Sequence, residues 1–187
     1  EYAMKKFVNA AKYVFPLEER EDMEFVINLE TVTGFQNLEK ITNSPFFDEI
    51  SGCILGRIDM TGSLGLTRED INTEQIFDIA KVISEKMRSK GKQMIIGGGV
   101  SAHSLPFFQK LPYLTRFETR KVIFDAQSSL CDENAGKGIL KAVGFELMWL
   151  KNKRDFYEMI YREDEQRIKI LEGRYKDLIK EAGGQWD

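Results

Sequence analysis

The amino-acid sequence predicts an α/β fold in which parallel strands alternate with helices. Short apolar runs rich in β-branched residues recur four times between residues 25 and 124, as in strands that are buried on both faces. Segments with helical spacing or helix-capping residues separate each run from the next. Because parallel neighbours need a crossover connection, usually a helix, this alternation indicates a parallel sheet.

The first part of the chain contains two predicted helices and the first two strands. Residues 2–14 carry apolar side chains at helical spacing and stop before Pro16. Residues 25–29 form a short strand, and residues 34–42 form a short helix that ends before a Ser-Pro pair. Residues 50–58 form the second strand, which is followed by a loop containing several glycines.

The next part contains the main helix and two further strands. Thr73 caps a long helix with apolar residues three and four apart, and this helix ends at Gly91. Residues 94–96 form the third strand and lead directly into the glycines at 97–99. A brief helix follows, and residues 121–124 form the fourth strand.

The C-terminal part is helical. Residues 138–150 form an apolar helix that we expect to pack on the sheet, and residues 154–182 form a highly charged helix. We therefore divide the chain into a β/α portion at 1–132 and C-terminal helices at 133–187. The last helix carries a narrow apolar stripe, formed by Ile168, Leu171, Tyr175, Leu178 and Ala182. This stripe fits either a terminal helix lying on its own domain, which we favour because two heptads do not establish a coiled coil, or a contact in a homo-oligomer.

Composition excludes several classes of function. The 187 residues are 42% hydrophobic and 30% charged, which suits a soluble globular domain. A net charge of -3 gives no reason to expect nucleic acid as a partner. The spacing of the two cysteines indicates neither a disulfide framework nor a zinc site. Without an apolar run of about 18 residues, we expect no membrane segment and a cytoplasmic location.

Two acidic residues follow the first two predicted strands. Glu30 comes directly after the run 25–29, and Asp59 comes directly after the run 50–58. The carboxyl ends of parallel strands line the functional face of such proteins, so the two carboxylates are placed to share a hard divalent cation such as Mg²⁺. The alternative is that Glu30 caps the following helix and Asp59 is a turn residue.

Two motifs carry a resemblance to a known family. From Ile27 the chain reads I-N-L-E-T-x-x-G-x-x-N-L-E-x-I, and from Leu55 it reads L-G-x-x-D-x-x-x-S-L-G, with Asp48 between them. These segments are similar to the central motifs of the aldolase/citrate lyase family, whose members are TIM barrels that make or break a carbon–carbon bond. The resemblance implies the C-terminal half of a TIM (β/α) barrel of the pyruvate/phosphoenolpyruvate-binding type, with extra C-terminal helices. It also leads us to expect that the chain is the C-terminal portion of a longer polypeptide.

The resemblance also implies roles for residues of the second motif. In the family, the residues at the positions of Glu30 and Asp59 hold Mg²⁺ or Mn²⁺, and the N–H groups at Ile58 and Asp59 meet a substrate carboxylate. Gly56 and Arg57 then border the substrate as well. Arg57 stands where the family usually has proline, which leaves the substrate open.

The activity implied by the resemblance is that of a metal-dependent carbon–carbon lyase or aldolase. It would act on a small keto acid or an acyl thioester, through an enolate that the cation stabilises. The alternative is a non-catalytic or regulatory homologue of the barrel, which acts as a binding protein.

Other residues near the strand ends are weaker candidates. Gly97, Gly98 and Gly99 either border the substrate or form a tight turn that needs positive φ angles, which we favour. His103 and Arg57 are candidate catalytic residues, although a surface or capping role fits His103 better. We expect Arg116, Glu118 and Arg120 to form ion pairs at the base of the sheet, and Asp125 to reach its mouth.

Overall fold

A computed structural model describes residues 2–185 of the chain. Its strands are β1 (Val26–Asn28), β2 (Gly52–Gly56), β3 (Gln93–Gly97), β4 (Arg116–Glu118) and β5 (Ile123–Asp125). The α-helices are α1 (Tyr2–Val14), α2 (Leu17–Arg20), α3 (Val32–Gln36), α4 (Leu38–Thr42), α5 (Arg57–Ser63), α6 (Glu74–Ser89), α7 (Leu105–Lys110), α8 (Ala126–Ser129) and α9 (Ala135–Glu181). Short 3-10 turns lie at Pro45–Glu49, Arg68–Asn72 and Ala102–Ser104.

The five strands form one mixed sheet in the order β1-β2-β3-β4-β5. Strands β1 to β4 are parallel to their neighbours, and β5 is antiparallel to β4. The predicted α/β fold is therefore confirmed, although the sheet is mostly and not wholly parallel. Within residues 2–185 the sheet is open, with β1 and β5 at its edges.

The fourth parallel strand differs from the prediction. It covers Arg116–Glu118, whereas the predicted segment 121–124 lies in the turn and in β5. The chain reverses after β4 because Thr119 and Val122 close a tight turn, in which the Thr119 N–H donates to the Val122 carbonyl at 2.9 Å. This reversal makes β4 and β5 a hairpin.

The core lies around β2, β3 and the apolar face of α6. Strands β2 and β3 are almost entirely buried, as expected for central parallel strands. The buried face of α6 follows the predicted helical spacing and consists of Ile76, Ile79, Ala80, Ile83, Ser84 and Met87. The helix ends at a glycine with a φ of 65°, Gly91, which confirms the predicted stop signal.

The C-terminal part is one continuous helix rather than two. The 47-residue helix α9 runs from Ala135 to Glu181. The chain divides into two compact units, with the boundary between Val143 and Gly144. Within residues 138–143, the part of the predicted helix 138–150 that belongs to the first unit, only Ile139 and Ala142 are buried. A narrow face of the helix provides these two side chains, while its larger apolar side chains remain exposed.

None of the helices within residues 2–185 combines the length and the apolar character needed to cross a membrane.

Candidate functional site

The first two strands bring the carboxylates of Glu30 and Asp59 together at Gly56. The pairing of β1 with β2 continues past Asn28, because the Leu29 N–H donates to the Ile54 carbonyl at 2.8 Å. A Cβ atom at Gly56 would lie 2.5 Å from Glu30 Oε2 and 3.5 Å from Asp59 Oδ2. Both oxygens therefore lie within 3.5 Å of one point. A side chain at Gly56 would occupy the space where the two carboxylates meet.

Asp59 reaches this point from a helix and not from the end of a strand. Strand β2 ends at Gly56, two residues earlier than predicted, and α5 begins at Arg57. Asp59 lies in the first turn of α5, where the N–H groups of Ile58 and Asp59 have no acceptor within the helix. An acidic side chain is favourable at this end of a helix because the N–H groups carry partial positive charge.

Neither carboxylate has the structural role considered as an alternative. Thr31 caps α3, with its Oγ1 accepting the Gly34 N–H at 3.0 Å, so Glu30 is not the capping residue. Asp59 lies in a helix and not in a turn.

Arg57 points into the protein, although its sequence position suggested contact with substrate. Its side chain is fully buried, and burial lowers the pKa of Arg57 to about 10. The guanidinium donates to the carbonyls of Gly97 and Gly98 at 3.3 and 3.0 Å, and to Asn72 Oδ1 and Ser104 Oγ at 2.6 and 3.1 Å. All three guanidinium nitrogens donate to groups of the protein, so the side chain positions the glycine loop.

Aromatic rings complete the surroundings of this guanidinium. Its central carbon lies 5.3 Å from the ring centre of Phe107 and 4.8 Å from that of Phe108. Guanidinium groups stack favourably on aromatic faces, particularly where water is excluded. The arginine therefore ties the end of β2 to α7 as well as to the glycine loop.

The glycine loop after β3 is a tight turn, as favoured from the sequence. Gly98 and Gly99 have φ angles of 79° and 64°. A Cβ atom at Gly98 would lie 2.7 Å from the backbone nitrogen of Arg57 and 2.8 Å from that of Ile58. The loop thus packs closely against the start of α5, beside the carboxylate pair.

Glu118 is a further acidic residue at the same edge of the sheet, and the sequence reasoning missed it. It ends β4, and its Oε1 lies 3.2 Å from where a Cβ atom at Gly97 would be. Gly97 is in register with Gly56 on the neighbouring strand. Burial raises the pKa of the Glu118 carboxyl. Arg116, which belonged to the same predicted group of ion pairs, pairs with Glu24.

The remaining candidates lie elsewhere or have other roles. Arg116 forms the expected ion pair at the base of the sheet, with Glu24. Asp125 caps α8 by accepting the Ser128 N–H at 2.9 Å. It pairs with Arg116 at the start of β4, and therefore does not lie at the edge where the parallel strands end. His103 is exposed on the 3-10 turn Ala102–Ser104, which agrees with a surface role.

The carboxylates of Glu30 and Asp59 suit a hard cation whose remaining ligands are water or substrate oxygens. Carboxylate oxygens are preferred ligands of Mg²⁺, which commonly binds proteins through only one or two carboxylates. Within residues 2–185, no group of three or more His, Cys, Asp or Glu side chains is arranged to hold a metal. Glu30 and Asp59 therefore fit a site that takes its other ligands from water or substrate.

No known family model matches the chain, and no curated protein matches it. The resemblance to the aldolase/citrate lyase family rests on the two sequence motifs alone.

Proposed function

We propose that this chain carries the metal-binding part of an aldolase/citrate lyase-like active site, which acts on a small keto acid or an acyl thioester. The observation that carries the proposal is the approach of two carboxylates to one point. One carboxylate oxygen of Glu30 and one of Asp59 lie within 3.5 Å of the position that a Cβ atom at Gly56 would take. Two carboxylates directed at one point repel each other, so a shared divalent cation gives the arrangement a physical reason.

Each group at the strand ends has a role in this proposal. Glu30 and Asp59 hold Mg²⁺ or Mn²⁺, and the N–H groups of Ile58 and Asp59 orient a substrate carboxylate. The cation supplies charge stabilisation to the enolate that develops as a carbon–carbon bond breaks. Arg57 keeps the glycine loop against the start of α5. Glu118, with its raised pKa, is placed to exchange a proton at the same edge.

We further propose that the open sheet is half of a TIM barrel. The four parallel strands follow one another in chain order across the sheet, without the reversal of order found in doubly wound folds. In a barrel, active-site groups lie at or just beyond the carboxyl ends of several strands. Glu118 ends β4, Glu30 follows β1, and Asp59 lies in the first turn of α5, directly after β2. Further β/α units would then complete the barrel next to β1.

The metal site is tested by titrating Mg²⁺ and Mn²⁺ into the chain in a calorimeter. We expect binding to the unmodified chain, and a loss of at least about tenfold in affinity for Glu30→Gln and for Asp59→Asn. Asp78→Asn, on the exposed side of α6, serves as the matched control and should bind normally. The proposal fails if the unmodified chain binds neither ion, or if all variants bind as it does.

A steric variant tests the same site without removing a carboxylate. Gly56→Ala places a methyl group 2.5 Å from Glu30 Oε2, so the Glu30 carboxylate must shift and affinity for the cation should fall. Gly62→Ala, in the same stretch of chain, has no atom within 4 Å of the added methyl group and should leave cation binding unchanged. Equal binding by the two alanine variants would argue against the site.

The substrate class is tested by thermal unfolding with pyruvate, oxaloacetate or a short acyl thioester. A ligand that binds the folded state raises the melting temperature, and this rise should require Mg²⁺ or Mn²⁺. Binding without any turnover would instead support the non-catalytic homologue.

A further inference from the structure

The second compact unit is a helix whose apolar side chains are exposed. From Gly144 onward, the described residues are the rest of α9 and a short tail to residue 185. This unit contains no other element that could cover the helix. Leu147, Ile168 and Leu171 each expose about half of their surface, at 54%, 51% and 51%. Since most helices in proteins gain their stability from packing an apolar face, this helix lacks a partner within its own unit.

Eight of the exposed large apolar residues of this unit, within residues 144–185, follow one continuous heptad register, and seven others lie outside it. Ten positions alternate three and four residues apart, and eight of them are apolar: Leu147, Leu150, Arg154, Tyr157, Tyr161, Asp164, Ile168, Leu171, Tyr175 and Leu178. We call these ten residues the heptad stripe. It spans about four and a half heptads, which is long enough for a coiled coil. The same register continues back to Leu140 and Val143.

We propose that the heptad stripe binds the heptad stripe of a second copy, forming a two-stranded antiparallel coiled coil. Arg154 and Asp164 are the two charged members of the stripe, and both are exposed. They lie five residues to either side of Met159. When two such helices run in opposite directions about this midpoint, each Arg154 faces Asp164 of the partner subunit.

The same alignment pairs apolar residues in the other layers. Eight layers then extend over about 36 Å of helix. On either side of the charged layers, the facing residues are Leu147 with Leu171, Leu150 with Ile168, and Tyr157 with Tyr161. One register therefore satisfies both the apolar and the charged positions of the stripe.

A parallel pair is less favourable in its core. It would place Arg154 against Arg154 and Asp164 against Asp164, leaving like charges in contact where water is largely excluded. In a parallel pair, the heptad positions on either side of the stripe would bring opposite charges together, for example Glu146 with Lys151 and Lys153 with Glu158. These flanking pairs are exposed to solvent and contribute little, so the core charges decide the orientation.

The first test compares two neighbouring residues of α9 in the full chain by analytical ultracentrifugation. Leu171 belongs to the heptad stripe, whereas Ile170 is also exposed but lies outside it. We expect the unmodified chain and Ile170→Asp to be dimers at micromolar concentration, and Leu171→Asp to be a monomer with unchanged folded-state circular dichroism. A monomeric or larger unmodified assembly, or equal dimerisation of both variants, would overturn the proposal.

The second test exchanges the two core charges. Asp164→Arg places two arginines in each charged layer of the antiparallel dimer, and we expect its dissociation constant to rise about 100-fold. The double variant Arg154→Asp, Asp164→Arg restores opposite charges and should recover the dimer. A parallel dimer keeps like charges opposite each other in both variants, so an absence of recovery would overturn the antiparallel arrangement. Cation binding at Glu30 and Asp59 is independent of these changes.

Discussion

Replacing Arg57 by methionine tests whether this buried arginine holds the glycine loop in place. Methionine is apolar and fills much of the same space, but it cannot donate to the loop carbonyls. Arg57 is fully buried and donates to the carbonyls of both Gly97 and Gly98. We therefore expect Arg57→Met to lower the free energy of unfolding and to loosen the loop beside the carboxylate pair.

The magnitude follows from three contributions. The two loop carbonyls lose their donor, at about 2 kcal/mol each. The stacking on Phe107 and Phe108 is lost, at about 2 kcal/mol. Removing the charge recovers about 3 kcal/mol, because burial lowers the pKa of Arg57 to about 10. The expected net loss of stability is about 3 kcal/mol.

Urea denaturation followed by circular dichroism measures this loss. With a denaturant dependence of about 2 kcal/mol per molar urea, the unfolding midpoint should fall by about 1.5 M. Arg68→Met changes an exposed arginine and should alter stability by no more than about 0.5 kcal/mol. If Arg57→Met unfolds at the same urea concentration as the unmodified protein, or at a higher one, the proposed role of Arg57 is refuted.

Three further predictions concern single residues of the same unit. Gly98→Ala should destabilise more than Gly65→Ala in urea denaturation, since both have positive φ angles but only the first meets backbone atoms, at 2.7 Å; equal losses would contradict the close packing. Burial raises the pKa of Glu118, so the folded state binds its proton more tightly and loses stability as pH rises above the ordinary value of 4.5. The melting temperature of Glu118→Gln relative to the unmodified protein should therefore increase between pH 4 and pH 7, and a constant difference would count against it. Burial also raises the pKa of the Cys53 thiol to about 12, so a thiol reagent should modify exposed Cys131 quickly and Cys53 only on unfolding; two fast thiols in the native protein would be inconsistent with this.

Local sequence patterns were sufficient where the structure depends on neighbours along the chain. The apolar spacing of α6 and its stop at Gly91 are properties of one segment, and both were predicted. The rule that parallel strands end at a common edge also placed Glu30 and Asp59 together. Their approach at Gly56 was not predicted, because it depends on the pairing register of the first two strands.

The role of Arg57 was not predictable in the same way. Arginine is usually exposed. The hydrogen-bond partners of Arg57 lie 15 to 47 residues further along the chain. Glu118 was missed for a related reason, because the fourth strand was predicted about five residues too late. A residue at the carboxyl end of β4 was thereby assigned to the base of the sheet.

The sequence by itself determined the alternation of strands and helices, the acidic pair and the apolar stripe of the last helix. The tertiary structure decided the strand register that places Glu30 against Gly56, the burial of Arg57 and the position of Glu118. It also showed that α9 is one continuous helix. The physical reason is that periodicity and capping act within a few residues. Burial, register and the distance between two side chains instead depend on segments that are far apart in the chain.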